Sequence, residues 1–158
     1  DYIDVSVGGH YMSGESIEDG VRELEEEVGI KIKFTDLVSI GIRQTAATIR
    51  SDYIANEFQH IFICPVWQEL SDYKLEEAEV SGLIEIKIEE AIDLLLNKKD
   101  SMKVMGLSVA NNVRTIYDLE ITKSDFVPAY LLTDQFFLRL LIAAKRYVRG
   151  DIPNEIFC

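Results

Sequence analysis

Three glutamates, Glu23, Glu26 and Glu27, stand at i, i+3 and i+4 within the run Arg22-Glu23-Leu24-Glu25-Glu26-Glu27-Val28-Gly29-Ile30. A helix turns about 100° per residue, so this spacing gathers the three carboxylates on one face. Ile17, Val21, Leu24 and Val28 fall on another face, which is built to enter a core. Like charges at i, i+4 destabilise a bare helix, so the cluster weakens its own helix unless cations neutralise it. Carboxylate oxygens are the donors hard divalent ions take, and Mg²⁺ combines a few carboxylates with the phosphates of a substrate. The chemistry these residue types could support is therefore cation-assisted phosphate chemistry.

The elements that must position such a cluster are also legible. Ile3, Val5 and Val7 alternate with Asp4 and Ser6, which predicts a strand running into the Gly8-Gly9 turn. Ser16 followed three residues later by Asp19 reads as a helix start, and Gly29 as its stop. The whole segment 8–30, GGHYMSGESIEDGVRELEEEVGI, resembles the signature of the Nudix hydrolases. That signature runs Gly, five residues, Glu, seven residues, then Arg-Glu-aliphatic-x-Glu-Glu-x-Gly-aliphatic. Residues 22–30 match its second half at every specified position, and Gly9 with Glu15 matches the first half. The spacer between Glu15 and Arg22 is one residue shorter than the pattern. Counting back from Arg22 instead puts Gly14 in the acidic slot and Gly8 in the first glycine slot. We take Glu15, with the loop-to-helix junction shortened.

The resemblance implies an α/β fold, an α/β/α sandwich around a mixed sheet. It implies Mg²⁺, with Mn²⁺ as an alternative, held by Glu23, Glu26, Glu27 and the Gly8 backbone. It further implies hydrolysis of a small-molecule diphosphate, with Glu26 and Glu27 in the catalytic machinery. Gly9, His10 and Glu15 then fall to the phosphate side of the site. Arg22 points about 100° away from Glu23 around the helix. Its expected role is an ion pair that orients the glycine loop, through Glu15, rather than contact with substrate. A general base is also needed: Glu57 is one candidate, and Glu77, flanked by Glu76 and Glu79 in LEEAEV, is another. A loop glutamate is more commonly solvated charge, and a glutamate at a strand's entrance is commonly no more than a polar edge.

Two features resemble the Nudix subgroup near isopentenyl-diphosphate isomerase: His10 after the glycine pair, and Asn56-Glu57 at the opening of a strand. In that isomerase a cysteine lies two residues before the corresponding histidine and takes part in proton transfer. Gly8 stands there in this chain, so the expectation is hydrolytic chemistry. A catalytically silent Nudix domain that binds a nucleotide or a protein partner is the alternative, and retention of all three carboxylates argues against it.

Composition narrows the partners. Acidic side chains number 28 against 16 basic, a formal charge of −12. That argues against a non-specific nucleic-acid binder, whose affinity needs a basic footprint. An anionic phosphate substrate stays compatible, because bound metal reverses the local field. Cys64 and Cys158 are too few for a disulfide scaffold, and Cys64, inside an apolar run, reads as a buried, inert thiol. No apolar run reaches membrane-spanning length and no signal peptide is visible, so a membrane partner is not expected and the cytoplasm is the expected location. The chain starts at Asp1 with the motif close behind, so the strands that usually precede the glycine turn are expected to be absent from this sequence.

The remaining pattern reads as one domain over residues 1–158. Strands are expected over 37–42 and 57–67, the latter apolar enough to be central, and over 82–88. A polar stretch is expected over 44–52 and an acidic loop over 71–79. Residues 89–97 suit a short helix with Ala91, Ile92, Leu94 and Leu95 on its apolar face. Signals are mixed over 100–121, with strand-like pieces near Val104 and Ile116. Residues 131–149 form an amphipathic helix whose stripe is Phe136, Phe137, Leu140, Leu141, Ala144 and Val148. That helix could cap the substrate site or form a homodimer interface, and its stripe does not choose. Tyr11, Tyr53 and Trp67 are aromatics that could stack on a base, although Trp67, at the end of an apolar strand, is better read as core.

Overall fold

Local chemistry explains where the first helix forms. The computed structural model describes residues 2–50, 53–151 and 157. Asp19 accepts hydrogen bonds from the Ser16 backbone N–H at 2.7 Å and from its hydroxyl at 2.8 Å. This closes the start of a 3-10 turn over Ile17–Gly20, which leads directly into helix α1, Val21–Val28. The helix ends at Gly29, whose N–H returns to the Glu25 carbonyl. The predicted start and stop residues are thus the ones used.

Two strands follow, β1 over Val38–Arg50 and β2 over Tyr53–Ile63, paired antiparallel. The register shifts between Ser39 and Gly41, so that Ile40 becomes an extra residue in β1 and is completely buried. Gly41 has φ 121°, and a Cβ there would overlap the Phe157 carbonyl oxygen. Only glycine fits this bulge. Phe157 lies alongside, donating its N–H to the Ile40 carbonyl and accepting from the Ile42 N–H. The expected polar stretch at 44–52 is instead strand through Arg50, because antiparallel partners in 53–58 satisfy its backbone groups.

A second sheet is a meander of β3 (Gly82–Glu85), β4 (Ser101–Ala110) and β5 (Val113–Thr122), in that spatial order. Helix α2, Ile88–Leu95, connects β3 to β4 and buries Ala91, Ile92, Leu94 and Leu95, the face its periodicity predicts. The region of mixed signals is therefore a hairpin. Its turn is Asn111-Asn112, both with positive φ (52° and 61°), the conformation a two-residue hairpin loop requires.

Three further expectations about the elements are corrected among the described residues. The two sheets are purely antiparallel rather than mixed, and parallel pairing is confined to isolated bridges, Ile3 with Phe126 and Gly41 with Phe157. The strand expected over residues 3–7 reduces to that one bridge at Ile3, since the alternating residues beyond it find no ladder partner. The single helix over 131–149 is two, α3 (Pro128–Leu132) and α4 (Phe136–Val148), divided where Gln135 adopts φ 52°. Within α4, Phe136, Phe137 and Leu141 are buried as predicted, while Ala143 takes a fully buried place and Val148 is left exposed.

The main core joins α2, the buried faces of β4 and β5, Phe126 and the α4 residues Phe137 and Leu141. A smaller cluster of Ile40, Phe136, Ala143 and Phe157 fastens α4 to the β1 bulge. Trp67, expected in the core, is almost wholly exposed. The side chain of Tyr53 lies outside the described residues.

Candidate active site

The acidic face of α1 is held from three directions. From one side comes the glycine turn. The Gly8 N–H hydrogen-bonds the Glu27 carboxylate, and Gly9 lies so close to Glu23 that an added Cβ would sit 2.5 Å from its carboxyl group. The two glycines thus serve different ends. At Gly9 a side chain would push the Glu23 carboxylate aside, whereas a Cβ on Gly8 would meet only Val5, at an ordinary 3.6 Å.

From the helix itself comes Arg22. Its guanidinium lies 2.8 Å from Glu26, 3.0 Å from Glu23 and 3.5 Å from Glu15. Glu15 in turn accepts the Met12 N–H at 2.7 Å, so Arg22 and Glu15 tie the loop to the helix. The Nε of Arg22 is buried with no hydrogen-bond partner.

From the far end comes the acidic loop. The Lys74 N–H donates to the Val28 carbonyl, and the Glu76 N–H to that of Glu27. Further along, both carboxylate oxygens of Glu77 accept the N–H groups of Asn111 and Asn112, at 2.8 and 3.1 Å. Glu77 is therefore occupied in clamping its loop to the β4–β5 turn, and those bonds hold its pKa below the usual carboxylate value. The loop carboxylate whose charge reaches Glu27 is Glu79.

Glu27 is the electrostatic centre of this arrangement. It is 8% exposed. Burial first, then the like charges of Glu23, Glu79 and Glu26, push its pKa from 4.5 up to about 7 against the opposing Gly8 N–H. A buried carboxylate crowded by three others is a place where a dication is favoured. The oxygen-donor set of Glu23, Glu26 and Glu27 suits Mg²⁺ or Mn²⁺. Among the described residues no three His, Cys, Asp or Glu side chains are drawn into one ligating cluster. Arg22, lodged among Glu15, Glu23 and Glu26, supplies the neutralising charge instead.

Across an open cleft lined by Gly8, Gly9, Glu23, Glu27 and Glu79 stands the β2 edge. Glu57 lies there with His10 3.7 Å from its Oε1. His10 is otherwise in solvent, and Glu57 is partly exposed. Glu57 does not stand alone. Gln59 donates from Nε2 to Glu57 Oε2 at 2.9 Å and accepts at Oε1 from Arg43, also at 2.9 Å. The sequence pattern did not single out this support. Its one signal was a charged residue, Arg43, directly after the apolar stretch Ile40-Gly41-Ile42.

An acidic helix face behind a glycine turn, on an α/β scaffold, is consistent with the Nudix fold. The chain belongs to the Nudix family: the NUDIX domain matches residues 2–105, the greater part of the sequence. Members of that family are typically dependent on divalent metal. An uncharacterized Nudix hydrolase of Clostridium acetobutylicum is 45% identical over 128 residues, which cover 80% of this chain and 61% of that relative. The chain thus matches less than two thirds of the relative's length. No solved structure matches it. No helix among the described residues is long and apolar enough to cross a membrane.

Proposed function

We propose that this chain is a Mg²⁺-dependent Nudix hydrolase that cleaves the diphosphate linkage of a nucleoside diphosphate derivative or a similar organic diphosphate. The observation that carries this reading is Glu27: buried, flanked by Glu23, Glu26 and Glu79, and shifted to about 7 without metal. Such a group gains from a cation far more than a solvated helix face would. Glu23, Glu26 and Glu27, with the Gly8 backbone, would hold Mg²⁺ or Mn²⁺. The bound ion supplies charge neutralisation on the phosphate oxygens and a lowered pKa for an attacking water.

The chain's own residues do the rest. Gly9 keeps the turn against Glu23 and leaves the backbone accessible to a phosphate. Glu15 and Arg22 fix the loop's entry to the helix. His10, in solvent at the cleft mouth, contacts the phosphate, and Glu57 or a loop glutamate accepts the proton of water. With Glu77 engaged at the Asn111-Asn112 turn, Glu57 is the stronger candidate. The α/β/α sandwich, the single domain over 1–158, the cytoplasmic location and a homodimer through the C-terminal helix belong to this proposal as well.

A non-catalytic binder is the second reading. The isomerase-like subgroup finds no support in the family match or the clostridial relative, and Gly8 supplies no thiol. Chromatographic product analysis of nucleoside diphosphate derivatives and isopentenyl diphosphate, with and without Mg²⁺, tests these readings. Metal-dependent phosphate products support the hydrolase. A folded protein that binds nucleotide without turnover supports the binder, and a dimethylallyl product would establish the isomerase.

A further inference from the structure

Arg43 is 6% exposed, a cation taken out of water inside β1. Its charge is met by Asp134, with Nε to Oδ2 at 2.7 Å and Nη2 to Oδ1 at 3.2 Å, a two-pronged pairing. Its guanidinium also lies over the rings of Phe136, at 4.3 Å, and Tyr130, at 4.7 Å. The remaining nitrogen, Nη1, donates to Gln59. Because a guanidinium only donates, it fixes the orientation of the Gln59 amide. The oxygen faces Arg43, and the NH₂ group must face Glu57. Asp134, Tyr130 and Phe136 all come from beyond residue 105, where the family match ends.

We propose that Arg43, Gln59 and Asp134 are positioning residues that hold the Glu57 carboxylate at the cleft beside His10. The segment around α3 and α4 is thereby part of the active-site support. This inference rests on Glu57 serving the proposed hydrolysis. None of the three residues touches substrate. They act by converting a buried, aromatic-packed ion pair into a fixed hydrogen-bond donor under Glu57. A carboxylate so held keeps one oxygen engaged and turns the other toward the cleft. Small misplacement of a proton-accepting group costs large factors in turnover.

Gln59→Glu is the informative substitution, because its carboxylate can still pair with Arg43, yet it faces Glu57 with a like charge. A purely structural role for Gln59 would survive the change. We expect Gln59→Glu to keep the wild-type melting temperature within a few degrees, while kcat falls about 10- to 100-fold with KM little changed. Gln59→Leu, which leaves Arg43 short of one acceptor, should lose both stability and kcat. Wild-type kcat in folded Gln59→Glu would overturn the proposal.

A second readout does not depend on turnover. In the wild type the Gln59 side-chain amide should give a displaced, slowly exchanging NMR signal pair that collapses toward a free amide in Glu57→Ala. If those signals do not move, the network does not reach Glu57 and the inference fails, whatever the enzyme's activity. If they move while the wild type hydrolyses no diphosphate, the positioning stands and the proposed function fails.

Discussion

At the scale of single residues, Glu27 concentrates the physics of this protein. Its folded pKa of about 7 lies above its unfolded value of 4.5. Below about pH 4.5 it is protonated in both states and costs nothing. As pH rises toward 7 the unfolded chain releases the proton first, so stability falls by up to about 1.4 kcal/mol per unit, and the loss levels off above 7. Metal-free protein should therefore melt at progressively lower temperature from pH 5 to 7. Glu27→Gln should flatten that slope, and added Mg²⁺ should raise the melting temperature most above pH 7. Scanning calorimetry across this range checks all three.

The glycines make a second residue-scale prediction. Gly9→Ala drives a methyl group into the Glu23 carboxyl, whereas Gly8→Ala meets only Val5 at van der Waals distance. Titration with Mn²⁺ should show affinity lowered about tenfold or more by the first and little by the second, since the Gly8 N–H survives an alanine.

At the scale of elements, the acidic loop shows what the sequence could and could not convey. Residues 71–79 read as a loop, and among the three glutamates in LEEAEV it was Glu77 that stood as the candidate base. They are separated by what folds against them: Glu77 caps the Asn111-Asn112 turn, while Glu79 reaches Glu27. Partners more than thirty positions away leave no trace in local pattern. The loop's clamp predicts that Glu77→Ala will raise amide exchange at Asn111 and Asn112 severalfold, with little change in the core of β4.

Helix α1 was legible because its capping residues, charge spacing and apolar stripe all agree. So was the buried face of α2. The β4–β5 hairpin was legible only as strand-like pieces near Val104 and Ile116, because β5 is exposed along most of its length. Asn111-Asn112 was the available signal. The break between α3 and α4 was hidden inside a continuous amphipathic pattern, where the positive φ of Gln135 has no glycine to announce it.

At the scale of the whole molecule, the C-terminal region closes on the first sheet through aromatic packing. Phe157 is 2% exposed, 5.5 Å from the Phe136 ring and bonded to both flanks of the Gly41 bulge. Phe157→Ala should cost about 3–5 kcal/mol, read by urea denaturation. Gly41→Ala should be similarly damaging because the methyl group has no room. Neither contact was legible beforehand. The stripe of α4 indicated that something covers it, but packing with the β1 bulge joins residues about a hundred positions apart. The Arg43–Asp134 pair belongs to the same closure, and a buried pair broken from one side is costly.

The central claim is that the acidic face of α1 performs metal-dependent cleavage of a diphosphate. The most direct measurement is Mg²⁺-dependent phosphate release from a panel of nucleoside diphosphate derivatives, comparing the wild type with Glu27→Gln of equal or greater thermal stability. The account predicts turnover that needs Mg²⁺ and falls at least about a hundredfold in the variant. Equal turnover by the two proteins, or turnover indifferent to metal, would contradict it.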